Sequence, residues 1–218
     1  MKSAIIFGST GLVGNHLLNL LLKDNYYSKI TLFTRSDIEI KDSRIEIIYI
    51  DFNNLNLCEK QIMGDDLYFC IGTTKKITSD INEYRKVEYN IPTKIAEIAK
   101  KNNINSFTYV SSLGSNYLSK NIYLKNKGEA EEVMKSLSFP NLSIIRPSFL
   151  LGPRKEFRLG EIIGKHIFKY LSFLFFGPLK KFRAIDVNTV AKSMILITQN
   201  NSDKIYYDSD ELQEIYNQ

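Results

Sequence analysis

The sequence predicts an α/β fold, a doubly wound parallel sheet with a small C-terminal lobe. Short apolar runs alternate with helical patterns between residues 2 and 146, which is typical of parallel strands joined by crossover helices. The first apolar run leads into a glycine-rich turn and then into a leucine-rich helix. The 218 residues suit a single domain, 1–218, in which residues 147–218 supply the lobe.

Six strands and three helices are expected in order along the main part of the chain. The apolar runs predict strands at 2–7, 29–34, 45–50, 66–70, 106–111 and 142–146. Residue spacing predicts helices at 15–22, 81–102 and 123–137. Beyond residue 146 the pattern indicates a loop at 152–154, an apolar aromatic helix at 160–176, an extended piece at 183–185, a helix at 186–199 and a last strand at 205–207. Ligands of such a sheet bind beyond the carboxyl ends of its strands.

Composition argues against several classes of function. The net charge is +5, but the lysines are scattered in pairs without a dense basic stripe, so a nucleic-acid partner is not expected. No apolar run reaches the about 18 residues of a membrane span. The segment 167–179 predicts a core or lid helix, with a homodimer contact or a membrane-surface helix as the alternatives.

The residues that could bind a metal or form a disulfide are few. Cys58 and Cys70 form neither a disulfide framework nor a metal pattern, and His16 and His166 have no second ligand at metal spacing. No metal is therefore expected, and a reducing cytoplasm is the simplest location for the protein.

A G-x-x-G-x-x-G turn separates the first strand from the first helix. Its first glycine suits a tight turn, the second lets a bulky anionic ligand approach the backbone, and the third lets the helix pack against the strand. The first helical turn offers unpaired N–H groups and the positive end of the helix dipole to a pyrophosphate. The residues expected to bind the cofactor here are Gly8, Ser9, Thr10, Gly11, Leu12, Val13 and Gly14. The alternative is a tight turn that binds no ligand.

The residues after the second strand indicate which dinucleotide would be bound. Arg35 and Ser36 stand where an NAD-preferring site usually has a carboxylate. A planar guanidinium suits a 2′-phosphate, so the predicted cofactor is NADP(H). Asp37 would take part instead if the loop were one residue longer, and Arg35 would otherwise be an exposed loop arginine.

Two later strand ends complete the predicted cofactor site. Asp51 is expected near the adenine or, equally, as a cap of the following turn. Ile71, Gly72 and Thr73 follow the fourth strand and are expected along the middle of the cofactor, where a small residue avoids a clash.

The candidate catalytic residues are Ser111 and Ser112, at the end of the fifth strand, and a Tyr-x-x-x-Lys formed by Tyr123 and Lys127. Residues four apart share one face of a helix. An ammonium beside a phenol favours phenolate, and such a phenol can exchange a proton with a carbonyl or alcohol while hydride moves to or from a nicotinamide. The lysine can also hydrogen-bond the nicotinamide ribose, and a serine hydroxyl can orient the carbonyl oxygen. Because a Tyr-x-x-x-Lys motif is common by chance, the prediction of a catalytic pair depends on the position of the motif after the fifth strand.

Taken together, these motifs resemble the short-chain dehydrogenase/reductase superfamily. GSTGLVG, TRS, YVSSLGSN, YLKNKGEAEE and IIRPSFLLGPR occur in this order over roughly residues 1–200. Within the superfamily the chain is similar to the atypical branch of Tat-interacting-protein oxidoreductases. The resemblance implies a Rossmann-type fold that binds NADP(H), with Arg35 at the 2′-phosphate and Tyr123 and Lys127 as the active pair.

The same resemblance implies roles for residues at the end of the sheet. Ser112 is the better candidate for the assisting serine and Ser111 the fallback. Pro147, Ser148 and Phe149 would lie by the nicotinamide, and Arg154 would reach the cofactor phosphates or the substrate.

Three functions fit these observations. The first is an NADP(H)-dependent oxidoreductase acting on a small carbonyl or alcohol substrate. The second is a regulatory protein that binds NADPH without turnover and is recognised by a partner. The third is a sugar-nucleotide epimerase or dehydratase, against which the small size of the C-terminal lobe counts.

Overall fold

The computed structural model describes residues 2–73, 78–152, 177–200 and 202–218. Their strands are β1 (Lys2–Phe7), β2 (Tyr27–Thr34), β3 (Ile45–Tyr49), β4 (Asp66–Phe69), β5 (Ser106–Val110), β6 (Asn141–Arg146), β7 (Leu150–Leu151), β8 (Ile185–Asp186) and β9 (Tyr206–Asp208). Seven of them form one sheet in the order β3-β2-β1-β4-β5-β6-β9, and every neighbouring pair is parallel. The short strands β7 and β8 pair separately.

Helices cover both faces of the sheet. They are α1 (Leu12–Lys23), α2 (Ile81–Arg85), α3 (Ile91–Lys101), α4 (Ile122–Ser136), α5 (Val187–Asn200) and α6 (Ser209–Tyr216). A π-helical turn, Lys86–Asn90, joins α2 to α3, so the predicted helix at 81–102 is continuous but locally widened. Short 3₁₀ segments occupy Leu55–Gln61 and Gly177–Phe182.

The central strands are buried on both sides, which explains their continuous apolar sequence. Along β1, Ile5 and Phe7 belong to the core that lies against α3 and α4, while Ala4 and Ile6 belong to the core that lies against α1 and α5. All four side chains are fully buried. The predicted doubly wound α/β architecture is therefore confirmed.

The six predicted strands of the main sheet are confirmed with shifts of one or two residues at their ends. β2 begins two residues earlier than expected because Tyr27 pairs with Lys2 at the start of β1. The predicted extended piece at 183–185 is the strand β8, and the predicted last strand is β9. Helix α6, which packs against α5 and ends the chain, was not predicted. The predicted helix at 160–176, together with His166 and Arg154, lies outside the described residues.

The strand order reverses between β1 and β4, which pair with β2 and β5 on their outer sides. Loops that leave the carboxyl ends of β1 and β4 therefore diverge to opposite faces and leave a crevice between them. In the part of the chain that the structure describes, no helix combines the length and the apolar character that crossing a bilayer would require.

Candidate nucleotide-binding and active site

The glycine-rich turn after β1 is packed against the end of β4. Gly8 has a φ of +88°, a left-handed conformation that favours glycine, and a Cβ there would lie 2.9 Å from the carbonyl carbon of Cys70. A Cβ on Gly14 would lie 2.1 Å from the Gly8 carbonyl oxygen. Only glycine therefore fits at these two positions, as the predicted close approach of helix and strand requires.

The first turn of α1 has the features of an anion site. Gly11 is the N-cap residue, and no side chain caps the helix or places an acid in its first turn. The N–H groups of that turn, which includes Leu12 and Val13, are thus available to a ligand. The Ser9 hydroxyl is buried without a hydrogen-bond partner among the described residues, and Thr10 beside it is exposed. An unpaired buried hydroxyl at a helix N-terminus fits a phosphate oxygen.

The loop after β2 carries an exposed arginine. The Arg35 guanidinium carbon lies 5.5 Å from the centroid of the Phe52 ring, and the neighbouring Ser36 is exposed. Asp37 hydrogen-bonds the Tyr49 hydroxyl, which raises the pKa of Tyr49 above its ordinary value. Arg35, the first residue after β2, is exposed and therefore open to a ligand, as are Glu39 and Lys41 further along the same loop.

Asp51 acts as a cap in this structure. Its Oδ1 accepts hydrogen bonds from the backbone N–H and the side-chain amide of Asn53, both at 2.9 Å. The structure thus agrees with the expectation that Asp51 caps the following turn. The side chain is exposed and stands after β3, so the adenine contact stays a prediction.

The loop after β4 lies against Glu88 and against Lys127, which is one of the predicted catalytic residues. A Cβ on Gly72 would be 3.6 Å from Glu88 Oε1 and 3.9 Å from Lys127 Nζ. The Thr73 N–H donates to Glu88 Oε1 at 2.5 Å, and Thr73 Oγ1 lies 2.9 Å from Thr78 Oγ1. Ile71, whose N–H faces Gly8, links this loop to the glycine-rich turn. The predicted middle of the cofactor site therefore lies between the glycine-rich turn and Lys127.

Tyr123 and Lys127 lie one turn apart at the start of α4. The Asn121 side chain caps this helix by accepting from the backbone N–H of Tyr123 at 2.9 Å. Tyr123 is half-buried, whereas Lys127 is only 2% exposed. Its ammonium donates to the Val110 carbonyl at 3.0 Å and pairs with Glu88 Oε2 at 3.0 Å.

The environment of Lys127 keeps it protonated. Burial lowers the pKa of an ammonium, but the attraction of Glu88, with smaller contributions from Tyr109 and Tyr123, outweighs burial and raises the pKa of Lys127 above its ordinary value. Lys127 is therefore a cation near pH 7.

The two candidate serines have different environments. Ser111 is buried, and its hydroxyl bonds Ser115 at 3.1 Å and the carboxylate of Glu131. Glu131 is itself paired with the Arg146 guanidinium. Ser112 is half-buried, and its hydroxyl is not part of this network. A hydroxyl that already donates to a buried carboxylate is poorly placed to serve a substrate, so the geometry favours Ser112.

Residues 147–149 connect the sheet to the C-terminal lobe. The Pro147 carbonyl accepts from the Leu113 N–H at 3.0 Å, which ties it to the serine loop. The Ser148 N–H donates to Ser209 Oγ at 2.8 Å, and the Phe149 carbonyl accepts from the Ile185 N–H at 3.0 Å. These hydrogen bonds hold residues 147–149 in place beside the carboxyl end of β6.

Sequence reasoning missed two residues of the site. Glu88 occupies a position in the apolar stripe that continues through Ile91 and Ile95, and an acid in a buried stripe is a signal that could have been noticed. A Cβ on Gly128, directly after the active lysine, would lie 2.3 Å from the Asn116 carbonyl carbon. This glycine lets α4 pack against the loop after β5.

Comparison with known proteins agrees with this geometry. A family model described as "NAD(P)H-binding" matches residues 8–163. The rat protein HTATIP2 is 32% identical over 202 residues, covering 89% of this chain and 80% of its own length. FMP52 of Debaryomyces hansenii, named as mitochondrial, is 32% identical over 187 residues, covering 85% of this chain and 81% of its own.

Solved structures share the fold at lower identity. Gre2 of Candida albicans, in complex with NADPH, superposes with a TM-score of 0.69 at 18% identity, over 96% of this chain and 78% of that one. A UDP-N-acetylglucosamine 4-epimerase of Methanobrevibacter ruminantium gives a TM-score of 0.72 at 20% identity, over 98% and 80%. With the glycine cradle, the sheet order and these relatives in agreement, the chain belongs to the NAD(P)H-binding Rossmann proteins, in the atypical short-chain dehydrogenase/reductase branch of HTATIP2 and FMP52.

Proposed function

We propose that this protein is an NADP(H)-dependent oxidoreductase that interconverts a small carbonyl compound and the corresponding alcohol. The observation that carries the proposal is the buried Lys127 ammonium, one helical turn after Tyr123 and directly beneath Gly72. A structural lysine is rarely buried, whereas an ammonium fixed beside a half-exposed phenol at the crevice of a dinucleotide fold suits proton transfer.

The residues present fit the cofactor. The N–H groups at the start of α1 and the unpaired Ser9 hydroxyl would hold its phosphates, and Arg35 would meet a 2′-phosphate. Lys127 donates to the Val110 carbonyl, lies 3.0 Å from Glu88 Oε2 and contacts the Tyr109 ring, and its proposed partner in the cofactor is a ribose hydroxyl. When bound, the nicotinamide supplies or accepts the hydride.

The chain's own groups would handle the proton. The Tyr123 hydroxyl would donate a proton to the carbonyl oxygen during reduction and take it back during oxidation. The Lys127 cation stabilises the phenolate that donation leaves behind. The Ser112 hydroxyl would hold the carbonyl oxygen in reach of Tyr123.

The test is turnover over a panel of aldehydes and ketones. Wild-type protein is expected to consume NADPH steadily and to form the matching alcohol in equal amount, with the deuterium of 4-deuterated NADPH transferred to the alcohol carbon. Tight NADPH binding with no turnover across the panel would overturn the proposal in favour of a regulatory protein that binds the cofactor.

Preference for the phosphorylated cofactor is predicted to depend on Arg35. In Arg35→Ala, the loss of one charged hydrogen-bonding partner, worth about 1.5–3 kcal/mol, should weaken NADPH binding by roughly 10- to 100-fold and leave NADH binding nearly unchanged. Fluorescence titration of both reduced cofactors measures this. Lys41→Ala, which removes an exposed positive charge from the same loop between β2 and β3, is the matched control. Equal losses for NADPH and NADH would remove Arg35 from the 2′-phosphate site.

We further propose a location in a reducing compartment, because Cys58 and Cys70 are both free thiols. The cytoplasm was the expectation from sequence, while the word mitochondrial in the name of the yeast relative suggests a second compartment. A homodimer stays a proposal, and its expected contact, segment 167–179, includes residues outside those described.

A further inference from the structure

Glu88 lies in the π-helical turn between α2 and α3 and is fully buried, with 0% of its surface exposed. A π-turn widens a helix by one residue and is uncommon away from functional sites. An ionised carboxylate is costly to bury unless it is paired and hydrogen-bonded. The groups that Glu88 contacts should therefore account for both the π-helical turn and the burial of the carboxylate.

The two carboxylate oxygens of Glu88 join two separate segments of the site. Oε1 accepts the Thr73 N–H from the loop after β4, and Oε2 lies 3.0 Å from Lys127 Nζ on α4. Lys127 in turn reaches the Val110 carbonyl at the end of β5. One side chain thus fixes the position of the candidate cofactor loop relative to the active lysine.

The ion pair lies just beneath an exposed surface. Gly72 is exposed, and a Cβ there would be 3.6 Å from Glu88 Oε1 and 3.9 Å from Lys127 Nζ. A group resting on Gly72 would therefore be within a few ångströms of both charges. With the pair intact these charges cancel, whereas either one alone would act on that group with little screening.

The charge of a nicotinamide ring bound near Gly72 would depend on its redox state. The oxidised nicotinamide ring carries a positive charge and the reduced ring does not. An uncompensated Lys127 would therefore disfavour the oxidised cofactor, and an uncompensated Glu88 would favour it.

We propose that Glu88 is a positioning residue that holds the Lys127 ammonium in place and cancels its charge beneath Gly72, so that the site accepts both redox states of a nicotinamide cofactor. The inference rests on the cofactor binding of the proposed function, but not on turnover.

Other titratable groups around the pair do not replace Glu88. Burial raises the pKa of Cys70 to about 12 and that of Tyr84 and Tyr109 well above the ordinary value, so these three are neutral near pH 7. The net charge beneath Gly72 is accordingly set by Glu88 and Lys127.

The experiment compares four proteins that differ in which of the two charges they keep: wild type, Glu88→Gln, Lys127→Met and the double variant. Calorimetry measures the dissociation constant of the oxidised cofactor and that of the reduced cofactor, and the first divided by the second is the ratio compared. The measurement is made with NADP⁺ and NADPH and again with NAD⁺ and NADH. Glu88→Gln keeps the acceptor for the Thr73 N–H and removes the charge. It should raise the ratio by roughly 7- to 50-fold, as expected for one unit charge about 7 Å away at an effective dielectric constant of about 20 to 40.

The sign of the change is the decisive result. Lys127→Met should lower the ratio by a similar factor, and the double variant should return it to the wild-type value. Each titration is repeated at about pH 6 and at about pH 8.5, because low pH favours the charged form of an unpaired lysine and high pH favours the charged form of an unpaired carboxylate. Glu83→Gln, on an exposed acid of the same helix, is the matched control and should leave the ratio unchanged.

A purely structural role for Glu88 would weaken both redox forms equally, and this outcome, or shifts of the same sign in both single variants, would overturn the inference. If Glu88→Gln does not fold, Lys127→Met and the double variant still determine the sign. Failure of wild-type protein to bind any nicotinamide would instead contradict the proposed function, and an absence of turnover would leave this inference intact.

Discussion

Gly14→Ala is expected to destroy the nucleotide cradle and to destabilise the domain. The new Cβ would lie 2.1 Å from the Gly8 carbonyl oxygen and 2.8 Å from the Gly8 carbonyl carbon, which are backbone atoms that cannot move aside as a flexible side chain can. Helix α1 would have to shift away from β1, and this shift would disturb the packing of Leu17 and Leu21, which are fully buried on that helix. We expect the free energy of unfolding to fall by about 3 kcal/mol or more, measured by chemical denaturation.

The same substitution should weaken cofactor binding at least about tenfold, because the N–H groups of α1 move with the helix and each charged hydrogen bond is worth about 1.5–3 kcal/mol. Gly11→Ala is the matched control for the measurement of stability. Its Cβ would lie 3.3 Å from the Gly8 carbonyl oxygen, and its φ of −77° suits alanine. Stability should therefore be nearly retained in Gly11→Ala. If Gly14→Ala proved as stable as Gly11→Ala, the turn would not be packed as described.

The strands of the main sheet could be predicted from the sequence because central parallel strands are buried on both faces. The run from Ala4 to Phe7 is apolar at every position, and the structure buries each residue against one of two cores. The turn after β1 could be predicted for a related reason, since the steric demands at Gly8 and Gly14 exclude other residues and leave a pattern in the sequence.

Contacts between segments that are distant in sequence could not be predicted in this way. The choice between Ser111 and Ser112 depends on the Glu131 carboxylate, which comes from α4 and is itself held by Arg146 of β6. Neither spacing nor periodicity shows that these groups meet. Glu88 was missed because a helical pattern predicts which face is buried but not that Lys127 of another helix pairs with an acid on that face.

The widened turn at Lys86–Asn90 has no sequence signature of its own. A regular helix through 81–102 was the natural prediction, because Val87, Ile91, Ile95 and Ile98 have helical spacing. The acid at position 88 interrupts the apolar stripe, but the sequence shows neither the widened turn nor the contact between Glu88 and Lys127. Local strain or widening of this kind often accompanies a functional requirement.

Tyr123→Phe is expected to lower kcat by roughly 100- to 10,000-fold on any substrate that the wild-type protein turns over, because it removes the only atom that exchanges the proton in the proposed reaction. Cofactor affinity should stay within about twofold, since the Lys127 ammonium keeps its partners at Val110 and Glu88 without the phenol. Steady-state kinetics and cofactor titration on the same preparation separate these two effects.

The loop after β5 provides a matched control for the loss of a hydroxyl. Tyr117 is 50% exposed and lies beside Gly128, so Tyr117→Phe makes the same chemical change close to the site but away from the phenol–ammonium pair. Its kcat should equal that of the wild type. A Tyr123→Phe protein with wild-type turnover would mean that another group transfers the proton. The hydroxyl of Ser112 is not committed to the Glu131 network, so Ser112→Ala would then be the next variant expected to abolish the reaction.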